Sequence, residues 1–117
     1  GRAVALGVPA EAILIDPTHD FGKNTYHSLE LTRHLDVLVE TGYPVLVSLS
    51  NKDFVGETLQ RGVGERLTGT LAATAVARWL GARVVRAHEV APTLEVLDMV
   101  ASIRGERPPV LARRGLA

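Results

Sequence analysis

A chain of 117 residues with 46% apolar and 22% charged side chains has the composition of an ordinary globular protein, which excludes disordered and collagen-like classes. Thirteen basic residues balance thirteen acidic ones, so no net field draws the chain toward nucleic acid or an anionic membrane surface. There is no cysteine, hence neither a disulfide framework nor a thiolate metal site, which fits a cytoplasmic setting. The longest apolar stretch, residues 69–76, falls far short of the roughly 20 residues that a membrane span needs. Gly1-Arg2 opens no signal peptide, and the missing initial methionine is what an excised segment would show.

Ala12-Ile13-Leu14-Ile15 is a short apolar run stopped by Asp16-Pro17, the pattern of a strand buried on both faces of a parallel sheet. After a polar loop, residues 26–40 place Leu31, Leu35 and Leu38 at helical spacing, and Thr41-Gly42 closes the helix. Residues 44–49 form a second apolar run. The polar loop 50–53 follows, and then a helical stretch that is strongest over residues 65–80, before Gly81. Residues 82–88 read as a third strand. Pro92 then opens a helix with Leu94, Leu97, Ala101 and Ile103 as its buried stripe, ending at Gly105. Residues 106–117, rich in proline and arginine, read as a surface tail on a domain spanning 1–117.

The strands start near residues 12, 44 and 82, spacings that suit βαβ crossovers of roughly 30 residues or more. Three parallel strands standing alone would leave unpaired edges and an uncovered apolar face, so the pattern implies neighbouring strands that this segment lacks. Periodicity does not choose between an open doubly wound sheet and a closed barrel. In both, ligands bind at the strands' C-terminal ends.

That rule selects Asp16, then Ser50-Asn51-Lys52, then Arg86 and His88. With a side-chain period of two, Arg86 and His88 share one side of their strand while Val85 and Ala87 take the other. An arginine fork beside a histidine suits a phosphate-bearing group. Asp16, an acceptor when ionised, suits two adjacent N–H donors such as an aminopyrimidinone edge presents, and Lys52 offers a complementary positive charge. Each residue also has a plain structural account, since strand-end polar groups cap helices and satisfy turns. Gly22-Lys23 is not a phosphate-binding P-loop, because Pro17 and Asn24 stand where that motif needs Gly and Ser or Thr. His19, Asp20 and His27 match no helix-borne zinc spacing and read as loop residues. His34 and Trp79 read as helix-surface and packing residues.

Three ordered segments, Asp16-Pro17-Thr18-His19-Asp20-Phe21-Gly22-Lys23, Ser50-Asn51-Lys52 and Arg86-Ala87-His88-Glu89-Val90, together resemble signature segments of the dihydropteroate synthases. The stretch Glu65-Arg66-Leu67-Thr68-Gly69-Thr70-Leu71-Ala72 is similar to that family's penultimate helix. The resemblance implies an α/β fold, the C-terminal portion of a (β/α)8 barrel comprising about three strand-helix units. It implies a transferase of folate synthesis that joins 6-hydroxymethyl-dihydropterin diphosphate to 4-aminobenzoate and releases diphosphate. Mg2+ would assist, with its ligand in the part of the barrel not represented here, and the last two helices would form a homodimer. Carried over by position, Asp16 would hold the pterin edge and Lys52 the pterin ring. Phe21 would border the aminobenzoate pocket, Ser50 would contact its carboxylate, and Arg86 and His88 would grip the diphosphate.

Several residues depart from the resemblance. Thr18 and Asp20 stand where glycines are usual, Ser28 where asparagine is common, Ser48 where a glycine lies beneath the pterin, and Asn51 in place of the arginine of Ser-Arg-Lys. Side chains at 18 and 20 restrict the loop, Asp20 adds negative charge near anionic substrates, and Asn51 removes a positive one. This pattern resembles the divergent second synthase-like copy of actinobacteria. Three functions are therefore expected alternatives: a working synthase, a catalytically silent paralogue that binds a pterin or another phosphorylated ligand, or a partner or interface module with no ligand affinity.

Overall fold

The computed structural model describes residues 4–6, 17, 24–50 and 52–115. Over them the chain runs β1 (Val4–Leu6), α1 (Thr25–Arg33), α2 (Leu35–Val39), β2 (Leu46–Ser48), α3 (Asp53–Leu59), α4 (Leu67–Trp79), β3 (Val84–Ala87) and α5 (Val90–Ile103). The valine-rich runs become β2 and β3, as β-branched residues favour. These pair in parallel, with Leu46 opposite Val84, Val47 opposite Val85 and Ser48 opposite Arg86. The expected β-α-β order is thus present, and the expected strand at residues 12–16 lies outside the described residues.

A strand that the sequence reading did not anticipate adds to this pair: β1 lies on the other side of β3, antiparallel to it, in the order β1-β3-β2. Val4 faces Ala87, Ala5 faces Arg86 and Leu6 faces Val85. The physical reason is the cost of an open edge, because β3's remaining row of N–H and C=O groups needs partners and a short apolar segment supplies them.

Alternation sets the core. Val45, Val47 and Leu49 are buried while Leu46, Ser48 and Ser50 between them are half-buried, so one face of β2 packs under the helices. Leu35, Phe54, Val55, Ala77, Ala82 and Val85 complete that cluster. The single helix expected over residues 26–40 is two, broken at His34, whose φ of −111° and ψ of 25° leave the helical region. Thr32 donates its hydroxyl to the Ser28 carbonyl just before the break, a back-bond that bends helices. The turn drives Leu35 into the core with no exposure.

The buried stripe of α5 is also corrected. Leu94 is 42% and Ile103 61% exposed, whereas Thr93 and Val100 are buried and Leu97 and Ala101 half-buried. The helix is rotated so that Thr93 faces inward, which its hydroxyl tolerates because it donates to the Glu89 carbonyl at 2.6 Å. The helix begins at Val90, two residues before Pro92, which occupies a first-turn position where no helical N–H is required. Gly81 links α4 to β3 with φ +115°, and a Cβ there would lie 2.8 Å from a methyl of Val39. Beyond α5, Arg104 lies over the Trp79 ring at 5.7 Å and donates to the Trp79 carbonyl. Arg104 also pairs with Glu106, Glu106 with Arg78, and Arg107 with Asp98.

Candidate functional site

The parallel register determines which strand-end residues can meet. Ser48 is level with Arg86 on one face of the sheet, and Ser50 and His88 follow just past the ends of the two strands. The two ends are joined by a hydrogen bond in which the His88 backbone N–H donates to Ser50 Oγ at 3.2 Å. The Ser50 hydroxyl therefore accepts one bond and keeps a proton that it can donate. Arg86 and His88 are exposed while Val85 and Ala87 behind them are buried, the alternation read from the sequence.

Lys52 follows two residues after Ser50 as the N-cap of α3, half-buried, with extended backbone and no side-chain cap bond. Its carbonyl accepts from the N–H groups of Val55 and Gly56, at 3.2 and 3.3 Å. Among the described residues, neither Lys52 nor Arg86 nor His88 forms an ion pair. Three basic side chains at strand ends, none in an ion pair among the described residues, are of the kind that can accept an anion.

A cavity of about 120 Å3 opens between the two strand ends, lined by Ser50, Arg66, Leu67, Thr70, His88 and Glu89. It brings Ser50 and His88 together, and Lys52 and Arg86 are not in its wall. Sequence reasoning missed Arg66, Thr70 and Glu89. Thr70 is the exception among the buried helical threonines: Thr32, Thr74 and Thr93 each donate to the carbonyl four residues back, whereas Thr70 Oγ1 is buried without a partner among the described residues. No periodicity marks Arg66, whose partner Asp53 lies thirteen residues earlier.

Asp16 and Phe21 lie outside the described residues, as do Thr18, Asp20 and Asn51; their neighbour Pro17 is buried. Ser28 is fully buried in α1, and Ser48 is half-buried on the face that carries Arg86. Of the dismissed metal cluster, His27 is exposed on α1 and the other two residues are not described. Among the described residues, no group of three His, Cys, Asp or Glu side chains is placed to hold a metal ion. None of their helices is long and apolar enough to cross a membrane.

Two strand-helix units with basic residues at the strand ends define the class: an α/β fold that is the C-terminal portion of a (β/α)8 barrel. The sequence profile of the pterin binding enzymes matches residues 1–88, and the chain belongs to that family. It is 66% identical to the inactive dihydropteroate synthase 2 of Mycobacterium leprae over 99% of this chain and 40% of the relative. It is 36% identical to the dihydropteroate synthase of Escherichia coli over 85% of this chain and 35% of that one. The structure of the Yersinia pestis dihydropteroate synthase superposes with a TM-score of 0.77 at 36% identity, covering 79% of this chain and 43% of the other. The Xanthomonas albilineans enzyme, in complex with 7,8-dihydropteroate, gives 0.75 at 39% identity, over 78% and 36%. The chain thus spans well under half the length of the relatives it matches.

Proposed function

We propose that this segment forms the anion-gripping side of a pterin pocket in a synthase paralogue that binds a pterin diphosphate without efficient transfer to 4-aminobenzoate. The observation that carries the reading is the joined strand-end pair, in which Ser50 and His88 are hydrogen-bonded and, among the described residues, Arg86 and Lys52 stand beside them without counter-charges. Arg86 would fork onto the diphosphate oxygens and His88 would donate a further hydrogen bond, both strengthening as charge builds on the leaving group. Lys52 would lie against the pterin ring, Asp16 would accept from its two N–H donors, and Phe21 would edge the second pocket. Ser50, with its proton free, would donate to a carboxylate there.

The departures favour binding over turnover. Asn51 removes a positive charge where two anions must meet, Asp20 adds a negative one, and Ser48 places a side chain on the pterin face beside Arg86. The much higher identity to relatives named inactive than to the synthases supports the same side. The second reading, a working synthase of folate synthesis, is favoured by retention of Asp16, Lys52, Arg86 and His88. Magnesium would then be held by the diphosphate and by residues of the barrel outside this segment, in a cytoplasmic setting. Outward-facing Trp79, Met99 and Ile103 on α4 and α5 support a homodimer through those helices.

The deciding experiment uses the protein at its natural full length, with calorimetry on the pterin diphosphate and a turnover assay with 4-aminobenzoate. Binding without turnover, and turnover gained by Thr18→Gly, Asp20→Gly, Ser48→Gly and Asn51→Arg together, is the expected outcome. Turnover by the unmodified protein establishes the second reading, and absence of binding removes both.

A further inference from the structure

We infer that Arg66 is the positioning residue of the candidate site, holding Lys52 in place through Asp53 and the first turn of α3. The inference begins at an unusual helix start. The N-cap of α3 is Lys52, whose side chain has no acceptor and cannot cap the helix. Asp53, the acid in the first turn, is turned instead toward Arg66, with Oδ1 3.0 Å from Nη1. A cap is replaced by a tether from another helix, and the lysine side chain is left to a ligand.

The tether is built to be rigid at one end. Arg66's side chain is 11% exposed, and its Nε also donates to the Arg61 carbonyl at 3.2 Å. The backbone of Arg66 is itself the N-cap of α4, so one residue joins the starts of two helices. The guanidinium lies against the first turn of α3 at Gly56, where a Cβ would fall 2.3 Å from Nε and 2.4 Å from Cζ. Gly56 is also a residue whose N–H bonds the Lys52 carbonyl, and Arg66 shares the cavity wall with Ser50 and His88.

Energetics separate positioning from general stability. Asp53 is 78% exposed, and an ion pair with one partner so open to water contributes little to folding. An arginine so largely shielded from water, paired with such a partner and accommodated by a glycine, is better explained by what it orients: Lys52 and the first turn of α3.

The test rests on the pterin-binding reading for one of its two readouts and is independent of it for the other. In the full-length protein, affinity for the pterin diphosphate is measured by calorimetry for Arg66→Lys, Asp53→Asn and Gly56→Ala. Hydrogen exchange is followed in each protein at the amides of positions 55 and 56, which bond the Lys52 carbonyl. Each variant is expected to weaken binding about tenfold, the scale of a modest misplacement of a binding group, and to speed exchange at those two amides with little change in Tm. Gly56→Ala retains every charge, so its effect should vanish in an Arg66→Ala background where the colliding guanidinium is gone. Unchanged affinity and exchange with a lowered Tm, or an equal effect of Gly56→Ala with and without the arginine, overturns the inference. A wild-type protein that binds no pterin defeats the proposed function instead, and the exchange rates then decide the role of Arg66 alone.

Discussion

Replacing Gly81 by alanine tests how the helix layer sets the strand that carries Arg86 and His88. Gly81 has φ +115°, a region that an L side chain enters at about 1–3 kcal/mol. Its new methyl would sit 2.8 and 2.9 Å from the two methyls of Val39, against an optimal separation of roughly 3.5–4.0 Å. Overpacking of that kind costs about 1–3 kcal/mol. The stiffer unfolded chain offsets roughly 0.4–1 kcal/mol. The net expectation is a loss of about 2–4 kcal/mol, read as a lower urea midpoint at unchanged m. Val39→Ala, which removes the colliding methyls, should recover about 1–2 kcal/mol of the loss in the double variant. A loss below about 1 kcal/mol, or strict additivity of the pair, would refute the reasoning that this close approach fixes the α4–β3 turn.

Three further outcomes are expected. Arg86→Lys keeps the charge and loses the fork, so calorimetry should show about tenfold weaker binding of a pterin diphosphate and little change for the same pterin without phosphates. The Arg104 guanidinium hydrogen-bonded to Glu106, with Arg78 beside it, holds that carboxyl below its ordinary value of 4.5. A depressed folded-state pKa means stabilisation that is full above pH 4.5 and declines as pH falls through the folded value; acid titration of Glu106→Gln should therefore lose that part of the wild-type pH dependence. Met99→Glu with Ile103→Glu, both exposed on α5, should convert the proposed homodimer to monomer in sedimentation without lowering the monomer's Tm.

β2, β3, α4 and α5 were legible because their apolar runs and stop residues are strong local signals, as at Gly42 and Gly81, whereas α3 over Asp53–Leu59 was not set apart as a helix of its own. The break at His34 was not legible either, since it comes from Thr32 bonding back to Ser28 and from Leu35 turning inward, both tertiary events. Nor was the face of α5: the sequence assigns a threonine to the outside, and only its bond to the Glu89 carbonyl makes Thr93 suitable for the core. At the site, alternation alone placed Arg86 with His88, and the order of strands placed Ser50 near them. Arg66 stayed hidden because its partners lie at separations that no helix or strand period generates.

The contacts of Arg104, Glu106 and Arg107 have a practical consequence for dissecting this protein. Helical geometry ends at Ile103, yet Arg104, Glu106 and Arg107 clasp the segment to α4 through the Trp79 carbonyl and indole ring and the Arg78–Glu106 ion pair, and to α5 through Arg107–Asp98, with Arg104–Glu106 bracing it internally. A cut made at the last helical residue would strip the indole and leave the final turn of α4 with an unbonded carbonyl. A cut after Arg107 leaves the clasp whole, so that is where a truncation boundary belongs.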